Sequence, residues 1–194
     1  MKKGKVAFFV TGNTHKFQEA RAEFRKYKIA LAMLNIDAIE IQNDDLKEIA
    51  KTSASDAARN ADIPVFVEDA GLFINALKGF PGPYSSFVYR TLGTRGILRL
   101  MSRINQRTAY FYSAVAFCHP NEKAEPICFE GKVKGKITHK EKGKSGFGFD
   151  PIFEPDAKPR VTFAQMTAQE KNRYSHRAQA LRKFAEWYSQ HIIK

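Results

Sequence analysis

The chain has 194 residues, 43% hydrophobic and 27% charged, long enough for one domain, or one domain with two lobes, around a substantial core. Lys and Arg outnumber Asp and Glu by 32 to 20, a formal charge of +12 that raises the local concentration of nucleotides, polyphosphates and nucleic acids without choosing among them. No apolar run approaches the roughly 18 residues of a membrane span, and the charged start leads into an apolar stretch too short for a signal peptide, so a cytoplasmic protein away from membranes is expected.

The first predicted element is a strand over Val6–Val10, ended by Thr11-Gly12-Asn13. A helix should follow, because Phe17, Ala20 and Phe24 repeat at helical spacing and Asn13 is a good N-cap. Residues 29–41 read as one or two extended segments, and a second helix is predicted over 44–61, opened by Asp44 and Asp45 where the helix dipole favours negative charge. Its buried stripe would be Leu46, Ile49, Ala50, Ala57 and Ala61. Pro64 ends it, and residues 65–71 form a short buried strand running into a polar turn, with 72–77 as extended chain and 78–83 as a loop. Helical patterns resume over 84–92 and 95–103. Two alternating segments, 109–118 and 127–137, then predict a long antiparallel hairpin turning at Pro120–Lys123. Cys118 and Cys128 sit on its two arms, and free thiols are expected there rather than a disulfide. Thr167 with Glu170 makes a capping box, and a last helix over 175–192 should bury Ala178, Leu181, Phe184 and Tyr188. Strands and helices alternate early and a hairpin sits in the middle, so the class is α/β with a mixed, twisted sheet. No repeat or linker divides the chain, which predicts a single domain over 1–194.

Four segments carry chemistry. Ser145-Gly-Phe-Gly-Phe-Asp-Pro-Ile-Phe153 packs two glycines, three phenylalanines and a carboxylate into nine residues. Glycine inside a regular element costs roughly 0.5–1 kcal/mol, so this composition suits a tight turn with an aromatic face for a flat ligand and Asp150 for its edge. Thr11-Gly-Asn-Thr-His-Lys16 lies between a strand and a helix, where unpaired N–H groups and the helix dipole favour an anion and Lys16 adds a point charge. Glu68-Asp69 ends an apolar strand; adjacent carboxylates there point to opposite faces, and such hard ligands suit Mg²⁺ or the orientation of water. Glu40, between two isoleucines, is a third candidate acid, and residues 170–177 place Lys171, His176 and Arg177 around a helix junction. Taken singly, each segment also reads as ordinary structure: a buried aromatic turn, a helix cap with a solvated lysine, an exposed strand glutamate, a basic helix start.

Together and in this order they resemble the inosine triphosphate pyrophosphatase family, the house-cleaning enzymes for non-standard purine nucleoside triphosphates. The landmarks are Thr11–Lys16, Val67-Glu-Asp-Ala-Gly71, Gly79-Phe-Pro-Gly-Pro-Tyr-Ser85, Gly146–Phe153, Thr162-Phe-Ala-Gln-Met166 and Glu170–Asn172 with Ser175-His-Arg177, across nearly the whole chain. The resemblance implies an elongated, two-lobed α/β fold with a central mixed twisted sheet, flanking helices and an active cleft between lobes, usually as a homodimer. It also implies Mg²⁺-dependent hydrolysis of ITP, dITP or XTP to the monophosphate and pyrophosphate. Carried over residue by residue, Thr11, Gly12, Asn13, Thr14, His15 and Lys16 hold the triphosphate, while Asp69 binds the metal and acts as the base for water. Glu40 matches the family's second metal carboxylate. By the same resemblance Phe149 would stack on the base in a pocket lined by Phe147, Gly148 and Asp150; Lys171 would contact phosphate, and His176 and Arg177 would contact the base. Ala70 is the small residue after the catalytic acid, and Ser86 stands where some relatives have a substrate-facing lysine. A second such lysine is replaced here by Ser53 or Ser55. Two other readings compete: a nucleic-acid-binding module and a catalytically dead nucleotide sensor. The first is disfavoured because the lysines are scattered apart from Lys134–Lys144; the second need not keep Asp69 and Glu40.

Overall fold

The structure is a computed structural model that describes residues 5–121 and 125–192. In chain order the elements are β1 (Val6–Val10), α1 (Thr14–Arg25), β2 (Ala30–Leu34), α2 (Leu46–Ala61), β3 (Val65–Ile74), β4 (Pro81–Gly82), α3 (Ser85–Thr91) and α4 (Gly93–Leu100). There follow β5 (Thr108–Cys118), β6 (Ile127–Ile137), β7 (Phe153–Pro155), α5 (Ala168–Tyr174) and α6 (His176–His191), with short 3-10 turns at Asn75–Leu77, Asp150–Ile152 and Phe163–Gln165. Among the described residues the strands form one seven-stranded sheet in the order β2-β1-β3-β5-β6-β7, with β4 on β3. It is mixed: β1 runs parallel to β2 and β3, whereas β3–β4 and β6–β7 are antiparallel. The α/β class with a mixed sheet is therefore as read from the sequence.

The caps explain where the helices start. The Asn13 side chain accepts from the N–H groups of His15 and Lys16, and Asp45 accepts from Lys47. Thr167 and Glu170 make the reciprocal capping box read from sequence, and a second box, Thr162 with Gln165, went unread. Two differences from the expected elements stand out. β3 runs unbroken through the expected polar turn, so the extended chain expected at 72–77 holds as far as Ile74 and then gives way to the 3-10 turn Asn75–Leu77, and the expected loop 78–83 contains the β4 ladder, pairing Leu72 with Gly82 and Phe73 with Pro81. Pro and Gly read as turn because proline lacks a donor, yet proline is tolerated on an edge strand. The turn expected at Pro120–Lys123 falls partly on residues outside those described.

The chain divides into two compact units: Met1–Asp69 with Ser113–Gly131 and Arg177–Lys194, and Ala70–Tyr112 with Lys132–His176. The first is built on stacked aromatics. Phe66 lies 4.5 Å from Phe9, 5.4 Å from Phe24 and 4.8 Å from Phe184, ring centre to ring centre, with Leu181 and Tyr188 beside them. The second unit gathers Leu72, Ile74, Ile97, Met101, Phe111, Phe149, Phe153 and Phe163. Burial of such side chains stabilises by about 1.5–3 kcal/mol each, which fixes the strands and turns that carry the candidate site.

Candidate active site

In the first unit the β1–α1 turn and the Glu68–Asp69 step of β3 meet through one lysine. Thr11 accepts from the Asn13 N–H at 3.1 Å, and Asn13 Oδ1 accepts from His15 and Lys16 at 3.0 and 3.1 Å. Two of the turn's N–H groups, those of His15 and Lys16, are thus used by the cap. The turn still offers an anion the helix dipole and the Lys16 ammonium. A Cβ on Gly12 would meet only Asn35 Oδ1 at 3.6 Å, an ordinary contact, so the protein's own packing does not demand glycine there. Close approach of something else would. Thr14 and His15 are exposed on the first turn of α1.

Lys16 Nζ donates to the Glu68 carbonyl at 2.8 Å and lies 3.1 Å from Glu68 Oε2 and 3.9 Å from Asp69 Oδ1. Strand alternation then separates the two acids. The Glu68 side chain is fully buried, while that of Asp69 is 32% exposed. Glu68 also accepts from the Ser113 hydroxyl at 2.6 Å and forms an ion pair with Arg177, whose Nε lies 3.1 Å away, while Arg177 Nη1 donates to Glu19 at 2.6 Å. Arg177, which the resemblance sends to the base, spends these bonds on two carboxylates. Burial disfavours its charge, but Glu68 and Glu19 more than offset this and raise its proton affinity above the ordinary arginine value. Sequence reading missed Ser113 and Glu19. The one local signal was a serine opening the apolar run Ser113–Cys118.

Glu40 is exposed in the irregular stretch after β2. The residue before it is fastened from both sides by α2: Asp56 Oδ2 accepts from the Ile39 N–H at 3.0 Å, and the Ser53 hydroxyl donates to the Ile39 carbonyl at 2.8 Å. Ser53, one of the serines standing where some relatives have lysine, is thus a tether for the backbone that carries Glu40. Among the described residues no three His, Cys, Asp or Glu side chains cluster as a ready-made metal cage. Mg²⁺ is commonly held by one or two carboxylates completed by water and substrate phosphate, and the half-exposed, oxygen-only Asp69 fits that use.

In the second unit the glycine-rich segment is a stitched turn, exposed at Ser145 and Gly146 and buried from Phe149. Lys144 and Ser145 both donate to the Ala164 carbonyl, and Thr162 donates to the Lys142 carbonyl, so the Thr162–Met166 motif is the support of the Gly146–Phe153 motif. Asp150 Oδ2 accepts from the Phe147 N–H at 2.9 Å and from Lys171 Nζ at 2.6 Å, with both acidic and basic side chains 4% exposed. Gly146 has φ +75°, and a Cβ there would lie 2.2 Å from Asp150 Oδ2, so only glycine permits this carboxylate position. The Lys171 ammonium also sits 4.8 Å from the Phe147 ring centre. Lys171, expected at phosphate, is committed to Asp150 within this unit.

Phe149, expected as a stacking platform, is 3% exposed and packs edge-on to Tyr89 at 5.5 Å; Phe147 and Gly148 are half-buried beside it. His176 is buried and stacked on Phe111 at 4.6 Å. Ala70 is half-buried on β3, and Ser86 is exposed on the first turn of α3. Its neighbour Ser85 is buried, accepting from the Leu72 N–H at 2.8 Å and donating to the Gly82 carbonyl at 2.7 Å. A Cβ on Gly71 would stand 2.3 Å from that carbonyl oxygen, which explains why the Gly71 and Phe-Pro-Gly82 landmarks occur together.

The Ham1 family pattern matches residues 7–187. The chain is 50% identical over 182 residues to a dITP/XTP pyrophosphatase of Methanothermobacter marburgensis, covering 94% of this chain and 95% of the relative. It is 46% identical over 184 residues to a dITP/XTP pyrophosphatase of Thermococcus kodakarensis, covering 95% and 97%. The solved structure of a Ham1 protein from Coxiella burnetii superposes with a TM-score of 0.84 at 28% identity, covering 96% of this chain and 99% of that one.

Proposed function

Because this chain belongs to the Ham1 family, we propose that it hydrolyses non-standard purine nucleoside triphosphates, ITP, dITP and XTP, to the monophosphate and pyrophosphate. One observation in the site supports this most directly: Lys16 reaches from the β1–α1 turn to the Glu68–Asp69 step, ending 3.9 Å from the Asp69 carboxylate. A phosphate cation and a solvent-facing base in one place are what cleavage of a phosphoanhydride by water requires.

In this mechanism Lys16 holds the triphosphate, with the α1 dipole behind it. Asp69 takes a proton from water as the water oxygen bonds to phosphorus. The α–β anhydride bond breaks, and its electron pair leaves on pyrophosphate. A divalent cation, held by Asp69 and Glu40 and by the substrate's own oxygens, would supply charge neutralisation there. As the family resemblance implies, His176 and Arg177 would contact the base, with Phe147 and Asp150 lining its pocket. A 6-keto oxygen accepts from donors, whereas the 6-amino group of adenine confronts them with another donor, and each buried group left unpaired costs about 1–3 kcal/mol. Rejection of GTP would come from its 2-amino group.

The family resemblance also supports a homodimer, and exposed apolar side chains on and near α3 and α4 support it further: Phe87 is 60% exposed, with Leu92 and Leu100 at 49%. Free Cys118 and Cys128 suit a reducing cytoplasm, where the nucleotide pool lies, and no helix among the described residues is long and apolar enough to cross a membrane.

The test is to incubate the protein with ITP, dITP, XTP, ATP and GTP plus Mg²⁺ and to measure pyrophosphate separately from orthophosphate. Pyrophosphate should be the first product, ITP and dITP should have similar kcat/KM, and ATP should be cleaved at least about tenfold less well. Orthophosphate as first product, or full activity in excess EDTA, would overturn the proposal.

A further inference from the structure

We propose that Glu68 is a positioning residue shared by Lys16 and Arg177, and that Ser113 fixes which of its oxygens serves which cation. The inference rests on the reading above, in which Lys16 meets the triphosphate and Arg177 the base. Glu68 Oε1 accepts from Ser113 Oγ at 2.6 Å and lies 3.1 Å from Arg177 Nε in an ion pair, while Oε2 lies 3.1 Å from Lys16 Nζ. The same ammonium donates to the Glu68 carbonyl at 2.8 Å, so Lys16 is located by two atoms of a single residue. The hydroxyl bond holds the carboxylate in one rotamer; rotate it, and both cations lose their registration together.

Burial divides the work between the neighbouring acids. The Glu68 side chain is 0% exposed and the Ser113 residue 0%, against 32% for the Asp69 side chain. Glu68 therefore faces cations rather than water, and Asp69 faces water. A buried ion cluster is weak evidence for stability, since its desolvation cost commonly cancels the attraction. Its use here is geometric: one carboxylate ties the group that holds phosphate to the group that reads the base. Glu19, the second partner of Arg177, anchors the far end of the guanidinium at 2.6 Å.

The consequence is a coupling that separate phosphate and base residues would not produce. Ser113→Ala removes one hydrogen bond to Glu68, worth about 1 kcal/mol or roughly fivefold in an equilibrium. It should raise KM for ITP about fivefold and lower the ITP-over-ATP preference in kcat/KM by a similar factor, with kcat for ITP little changed. Glu68→Gln, nearly isosteric, should do the same more strongly, and the double variant should be no worse than Glu68→Gln alone because both act through one carboxylate. Steady-state kinetics with ITP and ATP, alongside thermal unfolding of each variant, reads all of this. A purely structural role would lower the melting temperature and leave both KM and base preference at wild-type values. That outcome overturns the inference, as does movement of only one of the two parameters or additive effects in the double variant. Should Glu68→Gln not fold, Ser113→Ala decides alone. A wild-type protein that releases no pyrophosphate from ITP would instead defeat the underlying functional reading, a separate and visible failure.

Discussion

Replacing Lys171 with methionine separates its expected role from its observed one. A lysine on phosphate at a solvated surface would, when removed, raise KM and leave stability within about 0.5 kcal/mol. The structure instead has Lys171 Nζ 2.6 Å from Asp150 Oδ2, both side chains 4% exposed. Methionine fills much of the lysine stem but leaves the Asp150 charge buried without its counter-ion. Breaking one partner of a buried pair costs about 3–5 kcal/mol, and loss of the ammonium from 4.8 Å over the Phe147 ring works in the same direction. At about 2–4 °C per kcal/mol for a chain of this size, the melting temperature should fall by about 6–20 °C. Adding Asp150→Asn should recover part of the loss, since the amide oxygen can still accept from the Phe147 N–H and no charge remains to compensate. Calorimetry of the wild type, both single variants and the double variant at neutral pH reads the result. A Lys171→Met protein melting within about 2 °C of wild type, with only KM changed, would refute the buried-pair reasoning.

Three further outcomes follow from local geometry. Glu170 is held down to about 2 by the Thr167 N–H, then by the Lys158 and Thr167 side chains. A depressed carboxylate stabilises above its ordinary value of 4.5 and loses that contribution as pH falls toward 2, so wild type should lose its advantage over Glu170→Gln in this window, and parallel stability–pH curves would contradict it. Burial pushes the Cys128 thiol up to about 11, with Glu130 adding to it, so only about one molecule in a thousand carries the thiolate at pH 8. Ellman's reagent should react with the folded protein far more slowly than with the unfolded chain; fast modification of Cys128 at pH 8 would contradict this. Asp56→Asn weakens the tether on Ile39 and should raise the Mg²⁺ needed for half-maximal activity about fivefold, the equivalent of one hydrogen bond, with an unchanged Mg²⁺ curve counting against any role for Glu40.

What the sequence discloses and what it hides divide along local and non-local lines. Asn13 and the Thr167–Glu170 box announce helix starts through bonds two or three residues away, and each appears as read, whereas Asp45, read as a charge at the dipole of a helix over 44–61, is the N-cap of a helix that begins at Leu46. The separation of Glu68 from Asp69 followed from strand alternation alone, and their exposures agree. β4 was hidden because its pairing with Leu72 and Phe73 depends on a chain reversal, while Pro81 and Gly82 carry the composition of a turn. Lys171 and Arg177 were assigned by position in a motif. Their carboxylate partners, Asp150 and Glu68, lie 21 and 109 residues away in sequence, and no local pattern marks such pairs. Ser113 was hidden for the same reason, being one hydroxyl in a strand whose partner is 45 residues distant.

The central claim is that Asp69, beside Lys16 and open to water, performs the proton transfer in pyrophosphate release, and Asp69→Asn tests it most directly. The substitution is nearly isosteric and removes the charge and basicity of a side chain that is 32% exposed, so the fold should persist. Loss of a general base costs about 10²–10⁴ in rate. The account predicts that the variant melts within a few degrees of wild type but releases pyrophosphate from ITP about a thousandfold more slowly, with Glu68→Gln changing KM and base preference more than kcat. A folded Asp69→Asn protein that turns over ITP within tenfold of wild type would contradict it.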